Sequence, residues 1–264
     1  MTSSVKSKPT LTNRLWLLLI LLVAWVSWQS VQDLPRVTRG FPYFVAYLRG
    51  MFPPDFRVLP NLVRPLTETV SSAITGVGVA AVVSMPLSFL VAKNTSPWLV
   101  VYVVGRGLAN LLRGLPALLW AILFVSMVGL GPLAGVFAIV AHCIGTFSKL
   151  FSEAIEATEP RIVMVLEAMR LDGASEKQVL RYGMLPELAP LFASYVVYYV
   201  EWAVRAGTIL GLVGAGGIGL ELTMAIRSFK RQEVCAILVV IFALVNMVDQ
   251  ISRSIRERLL EAYG

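Results

Sequence analysis

The sequence predicts an all-α protein embedded in a membrane, with about six transmembrane helices. Three observations predict it. Only 15% of the 264 residues are charged, where a soluble domain carries about 25%. Hydrophobic residues make up 57%, and mean hydropathy is +0.74. The apolar residues also fall in uncharged runs that, at about 1.5 Å per helical residue, approach or exceed a hydrocarbon layer about 30 Å thick. The net charge of +7 is explained by cations flanking membrane segments, and no aromatic–basic pattern points to nucleic acid. Cys143 and Cys235 lie in apolar runs and read as small buried hydrophobes, not as a disulfide framework.

Residues 1–14 form a polar tail with Lys6, Lys8 and Arg14 and no acid. The 18 uncharged residues from Leu15 to Gln32 form the first helix. Trp25 and Trp28 stand where a signal peptide needs small residues, so this helix is expected to be retained. Residues 33–67, dotted with proline, arginine and aromatics, are expected to lie along the outer membrane interface. A core of five helices is expected over 68–252. Its first helix spans the 24 uncharged residues from Thr69 to Ala92, with Gly76, Gly78, Ala80 and Ala81 as a close-packing face. Trp98 to about Val128 follows, broken at Arg113-Gly114-Leu115-Pro116. Gly129-Leu130-Gly131-Pro132 turns the chain into Leu133 to about Phe151. Leu188 to about Leu212 and Val234 to Ser252 complete the set, and 253–264 form a basic tail.

Between the fourth and fifth helices lies the most charge-rich stretch, a loop over 153–186. Thr158 and Pro160 suggest a helix start, and Gly173 a left-handed stop. Ser175 with Gln178 reads as a capping box opening a second piece, which Pro186 closes. This elbow resembles the coupling loop of ABC-importer permease subunits, whose pattern is Glu-Ala-Ala, three residues, Gly, nine residues, an apolar residue, one residue, Leu-Pro. Glu167, Ala168, Gly173, Leu185 and Pro186 fall at the matching spacing. Met169 replaces the second alanine, and Gly183 stands where the apolar residue is usual. The Arg-x-x-Pro break at Arg113 is common in the same family. The glycine-rich run from Val213 to Gly219 resembles methionine- and phosphonate-type permeases, and Phe52-Pro53-Pro54-Asp55-Phe56 resembles the phosphonate type.

The resemblance implies a type I ABC importer permease architecture in a bacterial inner membrane, with both termini and the elbow cytoplasmic. Lysine and arginine counts of 12 inside and 9 outside support that orientation only weakly, leaving Arg106 and Arg113 on neither side. The implied partners are cytoplasmic ATP-binding subunits, an external substrate-binding protein and a second permease copy. ATP would be bound by the partner subunit, and this chain would hold no cofactor. Glu167, Ala168, Arg170, Asp172, Gly173, Leu185 and Pro186 would couple to the ATPase. The substrate implied is a phosphonate or a related phosphorus oxyanion such as phosphite. Another small solute, or ion-coupled secondary transport, are the alternatives; the latter would show an internal repeat.

Two ionisable residues inside the fifth run, Glu201 and Arg205, are four apart. Such groups at membrane depth either pair with each other or mark a pathway, and both readings stay open. Arg113 is either a pathway cation or snorkels to headgroups. Gly214, Gly216 and Gly217 are expected to allow close helix packing at a bend lining the pathway. Gly214-x-Gly216-x-x-Gly219 matches a dinucleotide fingerprint, but the apolar helices on both sides exclude the required βαβ setting. His142 stands alone and reads as a packing histidine. No nucleophile–base pair or zinc spacing appears, so the chain is read as a transport subunit and not an enzyme.

Overall fold

The computed structural model describes residues 11–32, 34–158, 164, 167–169, 171–175 and 178–261. No strand occurs among them. The chain divides into two units, Met1–Pro53 and Pro54–Gly264. The first contains α1 (Leu11–Gln32) and α2 (Leu34–Arg49). Part of the segment expected at the outer membrane interface is thus helical. The second unit contains α3 (Leu59–Val91), α4 (Leu99–Gly114), α5 (Ala117–Val128), α6 (Pro132–Glu156), α7 (Leu185–Leu210), α8 (Gly217–Arg227) and α9 (Arg231–Glu261).

Four helical stretches are long and apolar enough to cross a membrane: Phe56–Val91, Pro132–Glu156, Arg181–Val213 and Arg231–Leu259. A fifth is the pair α4 and α5, bent by 88°. Within α1 the apolar stretch is Trp16–Trp28, shorter than those four. Helix bounds differ from the uncharged runs because charge marks where lipid ends, not where the backbone stops winding. So α3 begins ten residues before Thr69. It continues through Arg64 and Glu68, which pair on an exposed face at 2.9 Å. Likewise α9 continues through the basic residues expected to form a tail.

The core is built on α3 and α6. Gly76 approaches α6 so closely that a Cβ there would lie 2.8 Å from Ile139, and Ala73, Val77 and Ala80 are fully buried on the same stripe. Small residues let helix backbones meet where apolar burial gives little drive in lipid. Gly78, expected on this face, instead has nothing within 4 Å of a Cβ. The contacts Gly76–Ile139, Ser84–Ile144 and Lys93–Glu156 show that α3 and α6 run parallel. Aromatic rings join α6 to an antiparallel α7: Phe151 stacks on Phe192 at 4.2 Å, and Phe147 meets Tyr199 edge-on at 5.0 Å. The ends of α3 and α6 therefore share one face with the start of α7. At the opposite end, the Asp55 N–H donates to the Gln232 carbonyl at 3.2 Å, placing the start of α9 beside the start of α3. The Asp55 side chain caps the short turn Phe56–Val58 by accepting from Arg57 N–H at 3.0 Å.

The α4–α5 break follows from Pro116, which has no N–H to donate. Two carbonyls freed at the break find side chains. Trp120 Nε1 donates to Leu112 O at 3.1 Å, and His142 Nδ1 donates to Leu115 O at 3.2 Å. A carbonyl only accepts, so His142 must carry its proton on Nδ1. With its ring stacked on Trp202 at 4.8 Å, His142 is a satisfied packing residue.

Candidate functional site

Two features stand out from the packed helices: an exposed elbow after α6 and a cavity beside α7.

In the elbow, residues 167–169 and 171 are helical, and Gly173 follows with φ +86. The Ala174 N–H donates back to Met169 O at 3.0 Å, the long bond of a Schellman stop. Met169 and Ala174 both pack on the core, so this departure from the alanine pattern is anchored. Their neighbours point outward: Glu167, Ala168, Asp172 and Gly173 are exposed, and Leu171 is 89% exposed. Arg170 and Pro160 lie outside the described residues. Thr158 donates its hydroxyl to Ile155 O at 2.8 Å, back onto the end of α6. Half of the capping box is present: Gln178 Oε1 accepts from the Ser175 N–H at 2.8 Å. The Ser175 hydroxyl, however, also donates to that oxygen, and the Gln178 N–H goes to the Ser175 carbonyl at 2.8 Å.

Pro186 does not close the second piece as expected. Residues Val179–Met184 wind as a π-helical turn that runs directly into α7, with Pro186 in its first turn. The Tyr182 carbonyl, whose usual donor would be residue 186, sits inside the widened turn. Leu185 is half-buried and Pro186 exposed.

A ring of polar contacts fastens the helix ends next to the elbow. Glu156 Oε1 accepts from Arg106 Nη1 and from the Lys93 N–H, both at 2.7 Å. Asn94 Nδ2 donates to Ile155 O at 3.0 Å. One carboxylate thus ties α3, α4 and α6 together. The sequence reading left Arg106 unassigned; an arginine inside an apolar run with acids at the end of another run was the available signal.

The cavity, about 420 Å³, lies between the uncapped start of α5 (Pro116, Ala117, Leu118) and α7, where Tyr198, Trp202 and Arg205 line it. The Glu201 side chain is 5% exposed, and Arg205, which donates to it, is 51% exposed. The pairing is therefore present, and Arg205 also lines the cavity. A third member was not foreseen: Arg256 of α9 donates to the other Glu201 oxygen at 3.5 Å and lies over the Tyr198 ring at 5.5 Å. The sequence reading had placed Arg256 in the tail, 55 residues from Glu201.

The other candidate pathway residues do not line this cavity. Arg113 is exposed at the last turn of α4 and does not line this cavity. Gly214, Gly216 and Gly217 are buried with φ of +90, +76 and +68. They form a packing knot: a Cβ would lie 2.1 Å from Leu130 at Gly214, 2.7 Å from Pro132 at Gly216 and 2.4 Å from Thr69 Oγ1 at Gly217. The Ile218 N–H donates to Thr69 Oγ1 at 2.9 Å and completes the knot. Among the described residues, no His, Cys, Asp and Glu cluster that could hold a metal is present.

Helical spans around a small-residue core, a charged elbow at one end and a largely apolar cavity carrying one arginine beside a broken span fit a membrane transport subunit. Residues 84–258 match the family described as binding-protein-dependent transport system inner membrane component, and the chain belongs to that family. It is a permease subunit of an ABC importer. The phosphite transport system permease protein PtxC of Stutzerimonas stutzeri is 41% identical over 85% of this chain and 81% of its own length. The phosphate-import permease protein PhnE of Mycolicibacterium smegmatis is 36% identical over 82% of this chain, which spans only 40% of that protein. In fold, the chain is similar to one from the inward-facing MetNI methionine ABC transporter, with TM-score 0.65 and 20% identity over 78% of this chain and 99% of that one.

Proposed function

We propose that this permease carries a phosphorus oxyanion, either phosphite or a phosphonate, received from an external binding protein, and that two cytoplasmic ATPase subunits drive it through the elbow. The observation that carries the coupling role is the elbow itself. A helix closed by Gly173 presents Glu167, Asp172 and a bare Leu171 on an otherwise packed core. An apolar knuckle rimmed by charge suits a groove on a partner protein. The polar ties through Glu156 offer a stiff route from the elbow into α3 and α4. ATP is bound by the partner, and the permease works as a homodimer. The elbow and the end of α9 face the cytoplasm, as does the amino terminus.

The substrate reading rests on the names of the relatives and on an arginine-lined cavity. Uptake of phosphite by proteoliposomes containing the permease, its ATPase and its binding protein tests both parts. ATP-dependent, vanadate-sensitive phosphite or phosphonate uptake is expected. Uptake driven by an ion gradient without ATP would overturn the coupling, and uptake of an unrelated solute alone would overturn the substrate.

A further inference from the structure

We propose that Glu201, Arg205 and Arg256 form one transit site for an anion, in which Arg256 neutralises Glu201 so that Arg205 keeps a net positive charge facing the cavity. The inference rests on the reading of this chain as an oxyanion permease.

The three groups sum to one surplus positive charge. Exposure grades across them: the Glu201 side chain is 5% exposed, Arg256 27% and Arg205 51%. The carboxylate is therefore buried between the arginines, and Arg205 is the member that reaches open space. Each Glu201 oxygen serves a different arginine, Oε1 for Arg205 and Oε2 for Arg256. An isolated Glu201–Arg205 pair on one helix would present zero net charge to a solute. Arg256, arriving from α9, changes that sum. Only one guanidinium nitrogen of Arg205, Nη2, meets Glu201, and the fork of the remaining donors suits a tetrahedral oxyanion.

The walls strengthen the effect. Pro116, Leu118 and Trp202 offer no competing charge, so the field of Arg205 is less screened than in bulk water. Glu201 also weakens what would otherwise be a tight anion trap. Passage requires a site favourable enough to enter and weak enough to leave. Arg256 is a positioning residue here: it sets the charge of the site without lining the cavity.

The test is a charge series in proteoliposomes containing the complete transporter and binding protein, with radiolabelled phosphite as the probe and uptake normalised to assembled complex. Arg256→Gln lowers the sum to zero and should reduce uptake at least tenfold. Glu201→Gln combined with Arg256→Gln restores the surplus charge on Arg205 and should bring uptake back to within about threefold of wild type. In a merely structural cluster the second substitution would relieve a buried, under-compensated carboxylate and raise the yield of assembled complex, whereas a transit site predicts recovery of uptake per assembled complex. A double variant no better than Arg256→Gln, or Arg256→Gln with wild-type uptake, overturns the proposal. If Arg256→Gln does not assemble, Arg205→Lys and Arg205→Gln decide it. Lys should keep part of the uptake and Gln should lose it, whereas equal uptake by both overturns the proposal. A wild-type complex that carries no phosphorus oxyanion at all overturns the functional reading first, and the proposal with it.

Discussion

Arg106 and Glu156, 50 residues apart, meet at 2.7 Å, and the same Glu156 oxygen accepts the Lys93 N–H at 2.7 Å. Both side chains are about a quarter exposed, so solvent screens the pair only in part. Arg106→Ala should leave Glu156 with an uncompensated charge and cost about 1–3 kcal/mol. Glu156→Gln should cost less, because the amide oxygen still accepts from both donors. Thermal unfolding in detergent checks the ranking. A Glu156→Gln variant that melts as low as Arg106→Ala would overturn the ranking, and one that melts with wild type would show that the carboxylate charge contributes nothing.

Gly173 tests the elbow. Nothing lies within 4 Å of a Cβ there, so the cost of a side chain comes from the positive φ, about 1–2 kcal/mol for an ordinary residue and more for a β-branched one. Gly173→Val should leave expression and membrane insertion unchanged and weaken co-purification with the ATPase or uncouple hydrolysis from uptake. Glu167→Lys should give a salt-dependent version of the same defect. Normal co-purification and uptake in both variants would reduce the elbow to an ordinary loop.

The glycines divide by what surrounds them. Gly217→Ala combines φ +68 with a contact 2.4 Å from Thr69 Oγ1, and Gly219→Ala would place a Cβ 2.0 Å from Thr208 O. Both should abolish assembly, as judged by size-exclusion profiles of the tagged permease. Gly78→Ala, in open space within α3, should be neutral or raise stability by about 0.5–1 kcal/mol. A stable Gly219→Ala would contradict the packing knot.

Orientation is open to labelling, because Cys143 and Cys235 are both buried. Ser175→Cys should react with an impermeant maleimide in inverted vesicles and stay protected in intact cells. Labelling from outside would reverse the topology.

Much of this protein was legible in the chain alone. Uncharged runs located the four long apolar helices and the bent pair, because charge deep in hydrocarbon is expensive. The run from Leu15 to Gln32, by contrast, gave a helix whose apolar stretch, Trp16–Trp28, is shorter than those four. The left-handed stop at Gly173 and the Ser175–Gln178 contact were legible because both are local, set by residues within one or two turns. The Glu201–Arg205 pair was legible because four residues make about one helical turn. Tertiary structure decided what spacing along one helix does not encode. It brought Arg256 to Glu201 and Arg106 to Glu156, pairings fixed by which helices are neighbours and how they are offset. It chose the neighbours of Gly216 and Gly217, because a glycine permits a close approach without encoding that Pro132 and Thr69 are what approach. It also carried α7 back through Pro186 into a π-helical turn, since a proline ends one helix and opens another by the same missing N–H.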